Sequence, residues 1–447
     1  MFDFGSKRFV WAGQNPLTGQ GPNIRRGIVD PDLNNFAPRA GLAYQLTPKT
    51  AIRSGFGVFY AANYLWEIQG VRGSWPYAIS ETFSAQNVTL PDKPIETFMP
   101  TYISPVPGTP ANAEHTVGRT DRTSYTTQWN LGIQRELARD LLLEVDYVGN
   151  GGRKLPIFTN INDPPPGPGA VGSPQHPRPY QFSDPLAGTT GLGAVSQITN
   201  LAISNYNGLQ VKVEKKFSTG LQFLASYSWG HYIDLGGSGF SQSAAPQNDN
   251  NFKADRADGT FDFRHVFTGN WYYELPVGKG RRFLNSSSGL VNGILGGWQW
   301  TGIAHFNTGG PLNIYLTFDN ANVGQRSLSQ RPNYAGGAQR TSPGAGDQTV
   351  GYLNRNAFVV PPAFTFGDLG RNSARNLGLR NWDTGLYKSF ALRENKESVQ
   401  FRAEFFNILN HVNLGGIDSG VGDPAFGAIE STQNRSREIQ FALKFYF

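Results

Sequence analysis

Six histidines are the residues of this chain best suited to metal or acid–base chemistry: His115, His176, His231, His265, His305 and His411. No two of them stand two or four residues apart, the separations at which a strand or a helix aims a pair at one metal ion. The chain has no cysteine, which excludes thiolate metal sites, nucleophilic thiols and disulfide frameworks. The zinc-protease pattern HExxH and the nucleophile elbow GxSxG do not occur. One GxGxxG pattern does, at Gly167, Gly169 and Gly172, but it contains Pro168 and sits in a proline-rich stretch. A phosphate-binding turn needs a strand before it and a helix after it, so this match is read as chance. Four carboxylates gather in NDNNFKADRADGTFDF, at Asp249, Asp255, Asp258 and Asp262. Their spacing lacks the alternation of an EF-hand loop. A solvated polar loop is the expectation there, with a loop calcium site as the alternative. Glu144 with Asp146, and Arg402 with Glu404, lie two apart and so share one face of a strand. On a wet wall such neighbours are expected to be ion-paired structural residues. The sequence therefore assigns no catalytic, cofactor-binding or metal-binding residue and points to no enzyme.

Composition sets the frame in which these residues must be held. Of 447 residues, 54 are Gly and 29 Pro, 13% are aromatic and only 16% are charged, against a usual charged share of about 25%. So many aromatics and so few charges exclude a disordered chain, and so much Gly and Pro excludes a helical bundle. The net charge of +6 is small for this length. The basic pairs Arg25-Arg26, Lys215-Lys216 and Arg281-Arg282 are too short to be a nucleic-acid arm and are expected in turns or a pore. No apolar run reaches the ~18 residues of a membrane-spanning helix, and the first residues, MFDFGSKRFVWAG, contain no apolar leader core. Neither fact bears on β-barrels, which cross membranes with a much weaker hydropathy signal.

The elements that must position these side chains are strands. Leu209, Val211 and Val213 alternate with Gln210, Lys212 and Glu214, and Val399, Phe401, Ala403 and Phe405 alternate with Gln400, Arg402 and Glu404. In the last segment Ile439, Phe441, Leu443, Phe445 and Phe447 share one face, with Glu438, Gln440 and Lys444 on the other. Period two gives each strand one apolar and one polar face. The pattern places strands near residues 37–47, 50–60, 125–138, 140–149, 205–217, 220–232, 263–275, 297–308, 380–392, 398–410 and 436–447. A weaker strand is expected near 2–12, and 309–379 is long enough to hold another hairpin. Lengths near 9–11 residues are those of tilted strands crossing a bilayer.

The connections alternate. Thr47-Pro48-Lys49, Ala138-Arg139-Asp140, Ser218-Thr219-Gly220 and residues 393–397 are short; 61–124, 150–204, 233–262, 309–379 and 411–435 are long. Long loops at one end and tight turns at the other are the habit of outer-membrane barrels and rare in compact soluble domains. The Pro-rich stretch 163–179 is expected to be mobile or polyproline-like. Trp229 and Tyr232, Trp271-Tyr272-Tyr273, Trp298 and Trp300 stand near strand ends, as interfacial aromatic girdles do. The expected class is all-β, an antiparallel transmembrane β-barrel, with about 12 strands visible. Residues 1–447 read as a single unit.

The series Ile439, Phe441, Leu443, Phe445 and the final Phe447 resembles the terminal signature of bacterial outer-membrane barrels, which implies reading by the barrel-assembly machinery. Other stretches resemble the Oar-like group of the TonB-dependent receptor family. They include NFAPRAGLAYQLTPKTAIRSGFGVFY (35–60), YTTQWNLGIQREL (125–137), SNYNGLQVKVEKKFSTGLQFLASYSW (204–229) and DFRHVFTGNWYYELPVGKGRRF (262–283). GWQWTGIAHFNTGGPL (297–312), FGDLGRNSARNLGLRNWDTGLYKSF (366–390) and FRAEFFNILNHVNLG (401–415) follow in order, with REIQFALKFYF at 437–447. The resemblance spans nearly the whole chain. It implies a place in the bacterial outer membrane, outer-membrane lipid as a partner, and the C-terminal half of a barrel of about 22 strands. Family members typically begin with a signal peptide, a β-sandwich, a TonB-contacting segment and a plug. None of these is expected in residues 1–447, so TonB would be reached only through other parts.

On this reading Gln210, Lys212, Glu214, Gln400, Arg402 and Glu404 are a lumen-facing polar wall, and the implied function is uptake of a large organic solute such as an oligosaccharide or peptide. External aromatics such as Tyr180 or Phe240 could contact it, though nothing in the sequence selects them. A passive channel or surface-loop adhesion scaffold is one alternative. A secreted all-β carbohydrate-binding protein is the other.

Overall fold

In the computed structural model, residues 2–3, 8–10, 12–14, 19–25, 29–61, 114–180, 193–236, 246–324, 329–341, 351–393 and 397–447 are described. One antiparallel sheet dominates them. Its path runs through β1 (Arg39–Thr47), β2 (Thr50–Tyr60), β3 (Tyr125–Ala138), β4 (Leu141–Asn160), β5 (Val195–Ser218), β6 (Leu221–Asp234), β7 (His265–Glu274), β8 (Trp298–Asn307), β9 (Arg380–Arg393), β10 (Glu397–Phe406) and β11 (Glu438–Tyr446). Each strand pairs with the one before it in sequence, so the topology is an up-and-down meander. All eleven stand where the alternation places them. Among the described residues the weak signal near 2–12 yields Phe2–Asp3 paired with Arg8–Phe9, and residues 309–379 supply short ladders outside the wall; the short strands Glu114–Val117 and Ala257–Asp258 join the sheet beside β5 and β6, off its main path.

Register lines up the side chains into two faces. Across β4–β5, Val145 stands opposite Val211 and Glu144 opposite Lys212. Across β9–β11, Leu386 meets Ala403 and Ala403 meets Phe441, while Gly385 meets Glu404 and Glu404 meets Gln440. One face is therefore continuous apolar wall and the other polar wall. Among the described residues no second sheet covers the apolar face: Leu131, Phe390, Phe441 and Leu443 are all exposed. A soluble sandwich would bury this face. On it Trp271 packs between Trp300 and Trp382, with ring centroids 5.1 and 6.0 Å away.

Among the described residues β1 and β11 are the edges and do not pair with each other, so the sheet they form is open. Every residue of β1 is exposed, and so is nearly all of β11. At one end the strands are joined by tight links. Asp140 and the pair Thr219-Gly220 take the left-handed conformation these turns require (φ 62°, 53° and 77°). The exception at that end is the link between β7 and β8, which carries the short helix α1 (Gly289–Leu295).

The long links gather at the other end, and parts of them are folded. Ile314, Leu316, Leu353, Phe358, Ile417, Phe426 and Ile429 form a buried cluster drawn from residues 309–379 and 411–435. Tyr315–Leu316 pairs in parallel with Gly420–Val421, and Leu414–Ile417 pairs with Ile429–Thr432. β4 and β5 also run on past the other strands, to 20 and 24 residues, into this region. Among the described residues the largest hydrophobic core is thus in the loops.

Candidate functional site at the long-loop end

The polar wall holds two separate groups. On β5, Lys212 lies 3.0 Å from Glu144 and 3.7 Å from Glu214, and Gln210 stands opposite Asp146 in the next row. On β10, Arg402 donates to Gln400 at 2.7 Å, and Glu404 accepts from the Tyr387 hydroxyl at 2.9 Å. Arg402 also reaches the Tyr446 hydroxyl at 3.3 Å. Four strands intervene between the two groups, so the six polar residues singled out by alternation do not form one site. Between them the polar face has a depression of about 340 Å³ lined by Gln222, Asn270, Tyr272, Thr301, Tyr387 and Glu404.

The densest chemistry lies above, where the loops meet the wall. Asp262 is wholly buried by its side chain and accepts from the Tyr232 amide (2.7 Å), from Arg264 (3.0 Å) and from Arg375. Asp258 binds the same two arginines and sits 3.0 Å from His231 Nε2. Asp255 pairs with Arg331, which is buried and also donates to the Leu369 carbonyl at 2.7 Å. Arg371 pairs with Asp234 and donates to the Asp255 carbonyl at 2.9 Å. Four aspartates thus face four arginines.

The expectation of a solvated acidic loop is corrected here: Asp255 and Asp262 are buried and Asp258 half-buried, and Arg264, Arg331 and Arg375 neutralise them. Among the described residues no group of three or more His, Cys, Asp or Glu is arranged to hold a metal ion. Burial alone would raise the Asp262 carboxyl. The hydrogen bonds from Arg375 and the Tyr232 amide, with the nearby Arg264 charge, outweigh it and hold the group below its ordinary value of 3.8.

Sequence reasoning missed Arg331, Arg371 and Arg375. Their partners lie 76 to 137 positions away in the chain. The available signal was chemical: six arginines against three aspartates in residues 309–379, and five aspartates against two basic residues in 233–262.

The proline-rich stretch is likewise held in place. His176 Nε2 lies 2.8 Å from the Asn322 carbonyl, and the Asn322 amide donates to the carbonyls of Gly167 and Gly169, each at 2.7 Å. The three glycines of the GxGxxG match wrap this histidine, and a Cβ at Gly167 would lie 3.0 Å from its ring. Their role is packing between loops, and the stretch expected to be mobile or polyproline-like is tied to Asn322. Tyr180 adjoins this stretch, its amide donating to Asn162 Oδ1 at 2.8 Å; Phe240 lies outside the described residues.

A family model for the outer membrane beta barrel domain matches residues 1–440. Among solved structures, the chain is similar to the outer membrane transporter YddB from Escherichia coli. There the identity is 11% and the TM-score 0.45, over 92% of this chain and 40% of that one. It is also similar to the siderophore receptor PiuA from Acinetobacter baumannii, at 9% identity and TM-score 0.42, over 91% of this chain and 35% of that one. The chain spans well under half the length of either structure. A search of curated proteins finds no match.

Proposed function

The chain belongs to the outer membrane beta barrel domain family, and on that premise we propose that it forms part of the wall of a TonB-dependent receptor that takes up a large organic solute. Its location is the bacterial outer membrane, and its strands form an antiparallel transmembrane sheet. The observation that carries the proposal is the open eleven-strand sheet with one uncovered apolar face, one polar face and a folded loop cap at one end. Unpaired backbone groups cost several kcal/mol each in lipid, so both edges need partner strands before the wall can serve a transporter. Residues 1–447 act as one barrel-wall unit on this reading. Gln210, Lys212, Glu214, Gln400, Arg402 and Glu404 face the lumen. Ile439, Phe441, Leu443, Phe445 and Phe447 are the segment read by the barrel-assembly machinery. Coupling to TonB comes through parts of the assembly other than this wall. The depression on the polar face offers amide, phenol and carboxylate groups beside aromatic surface, a lining that suits an oligosaccharide or a peptide.

Planar-bilayer recording on the refolded full chain tests the reading. A wall unit with two open edges gives no discrete, steady channel events. Stable unitary conductance would overturn the proposal and favour a passive channel that closes by itself.

A further inference from the structure

The link between β7 and β8 lies at the tight-turn end, yet it is long and carries α1. The N-terminus of α1 is capped by Ser288, whose hydroxyl accepts from the Val291 amide. Its C-terminus is docked on the apolar face of the wall. Lys388 of β9 stands on that face between Leu386 and Phe390. Its ammonium donates to the carbonyls of Ile294 (3.1 Å) and Gly296 (2.5 Å). The Trp298 indole donates to the Ile294 carbonyl at 2.9 Å. Lys388 is thereby buried on a face made mainly of apolar side chains. A cation at a helix C-terminus satisfies carbonyls that water would otherwise serve.

None of α1's residues is buried. Leu290 is 78% and Ile294 61% exposed, with Leu295, Phe283 and Leu284 exposed beside them. The next row of the wall toward the turns, Phe390–Val399–Phe445, is still apolar, and both of its phenylalanines are exposed. The helix therefore lies alongside the apolar band and not beyond it. The turn leading into it exposes Lys279, Arg281 and Arg282, with Arg281 paired to Glu274 at 2.9 Å.

We propose that α1 and its leading turn are a membrane foot. Leu290, Ile294 and Leu295 enter the acyl region of the leaflet at the tight-turn end, and Lys279 and Arg282 meet anionic lipid headgroups. The inference rests on the reading of the apolar face as lipid-contacting wall, with which α1 is continuous. Interfacial helices carry this combination of an apolar face and basic neighbours, and a Lys on the wall that turns inward to a helix end suits a site without water.

The absence of cysteine makes the test direct. Leu290→Cys and, on the wall of β3, Leu131→Cys are labelled with bimane in the full chain. The chain is reconstituted in vesicles of phosphatidylethanolamine and phosphatidylglycerol doped with bromine-tailed phosphatidylcholine. The expected result is quenching of both labels by the brominated tails and shielding of both from aqueous iodide. Quenching at 131 with iodide access at 290 overturns the foot and leaves the wall intact. Iodide access at both positions overturns the wall reading and the foot with it. Exchanging phosphatidylglycerol for phosphatidylcholine should weaken quenching at 290 alone; no change would overturn the role given to Lys279 and Arg282.

Discussion

Asp262 accepts three donors with no exposed side-chain surface, and two of those donors are arginine guanidinium groups. Asp262→Asn keeps an acceptor for the Tyr232 amide but removes one of the two carboxylate charges that both arginines face, leaving Asp258. The expected cost is about 1–3 kcal/mol, read as faster amide exchange in residues 366–379 with the wall strands unchanged. The pH dependence has a definite sign. The folded carboxyl is held below its ordinary value of 3.8, so its stabilisation is complete above that value and is lost as pH falls below it through the lower folded value. Exchange in 366–379 should accelerate in that acid window in the wild type, and the Asn variant should lack this step. The pairing was not legible in the sequence, because Asp262 and Arg375 are 113 positions apart and either residue alone reads as ordinary loop polarity.

At the scale of elements, the strands were legible because two different environments write on them. Leu209, Val211 and Val213 alternate with Gln210, Lys212 and Glu214 without exception, and the register keeps the two sets on opposite faces. The extensions of β4 and β5 were not legible: Gly151, Gly152 and Pro156 break the period, and residues 150–160 and 195–204 read as loop. Cross-strand fits were also invisible. A Cβ at Gly302 would come within 2.2 Å of the Trp271 ring, and one at Gly149 within 2.1 Å of the Trp129 ring. These glycines let a large indole lie flat over the neighbouring strand, covering backbone that has no side chain of its own. Gly302→Ala should displace Trp271 from Trp300 and Trp382 and cost about 1–3 kcal/mol. Lower thermal stability with altered near-ultraviolet dichroism would report it, and unchanged dichroism would contradict the packing.

For the molecule as a whole, the loop cap is the part the sequence concealed most fully. Its core takes one or two apolar residues at a time from segments separated by up to about a hundred positions, so no period marks it. Leu316 is completely buried there, and Leu316→Ala should cost about 2–5 kcal/mol. Limited proteolysis should then cut within residues 309–379 while the wall stays intact.

The open sheet carries one more consequence, which is a matter of parity. Strand direction reverses at every step of the meander, and eleven is odd, so β1 and β11 run the same way. Bringing them together, within one copy or between two copies sharing an axis, would make parallel seams. Antiparallel seams at both edges require a complement with an odd number of strands whose own outer strands run in the opposite sense. The chain is therefore not its own complement. Leu42→Cys with Phe441→Cys, one on each edge, should stay reduced in lipid under mild oxidation, and a disulfide between those edges would show that the wall closes on itself or on its copy.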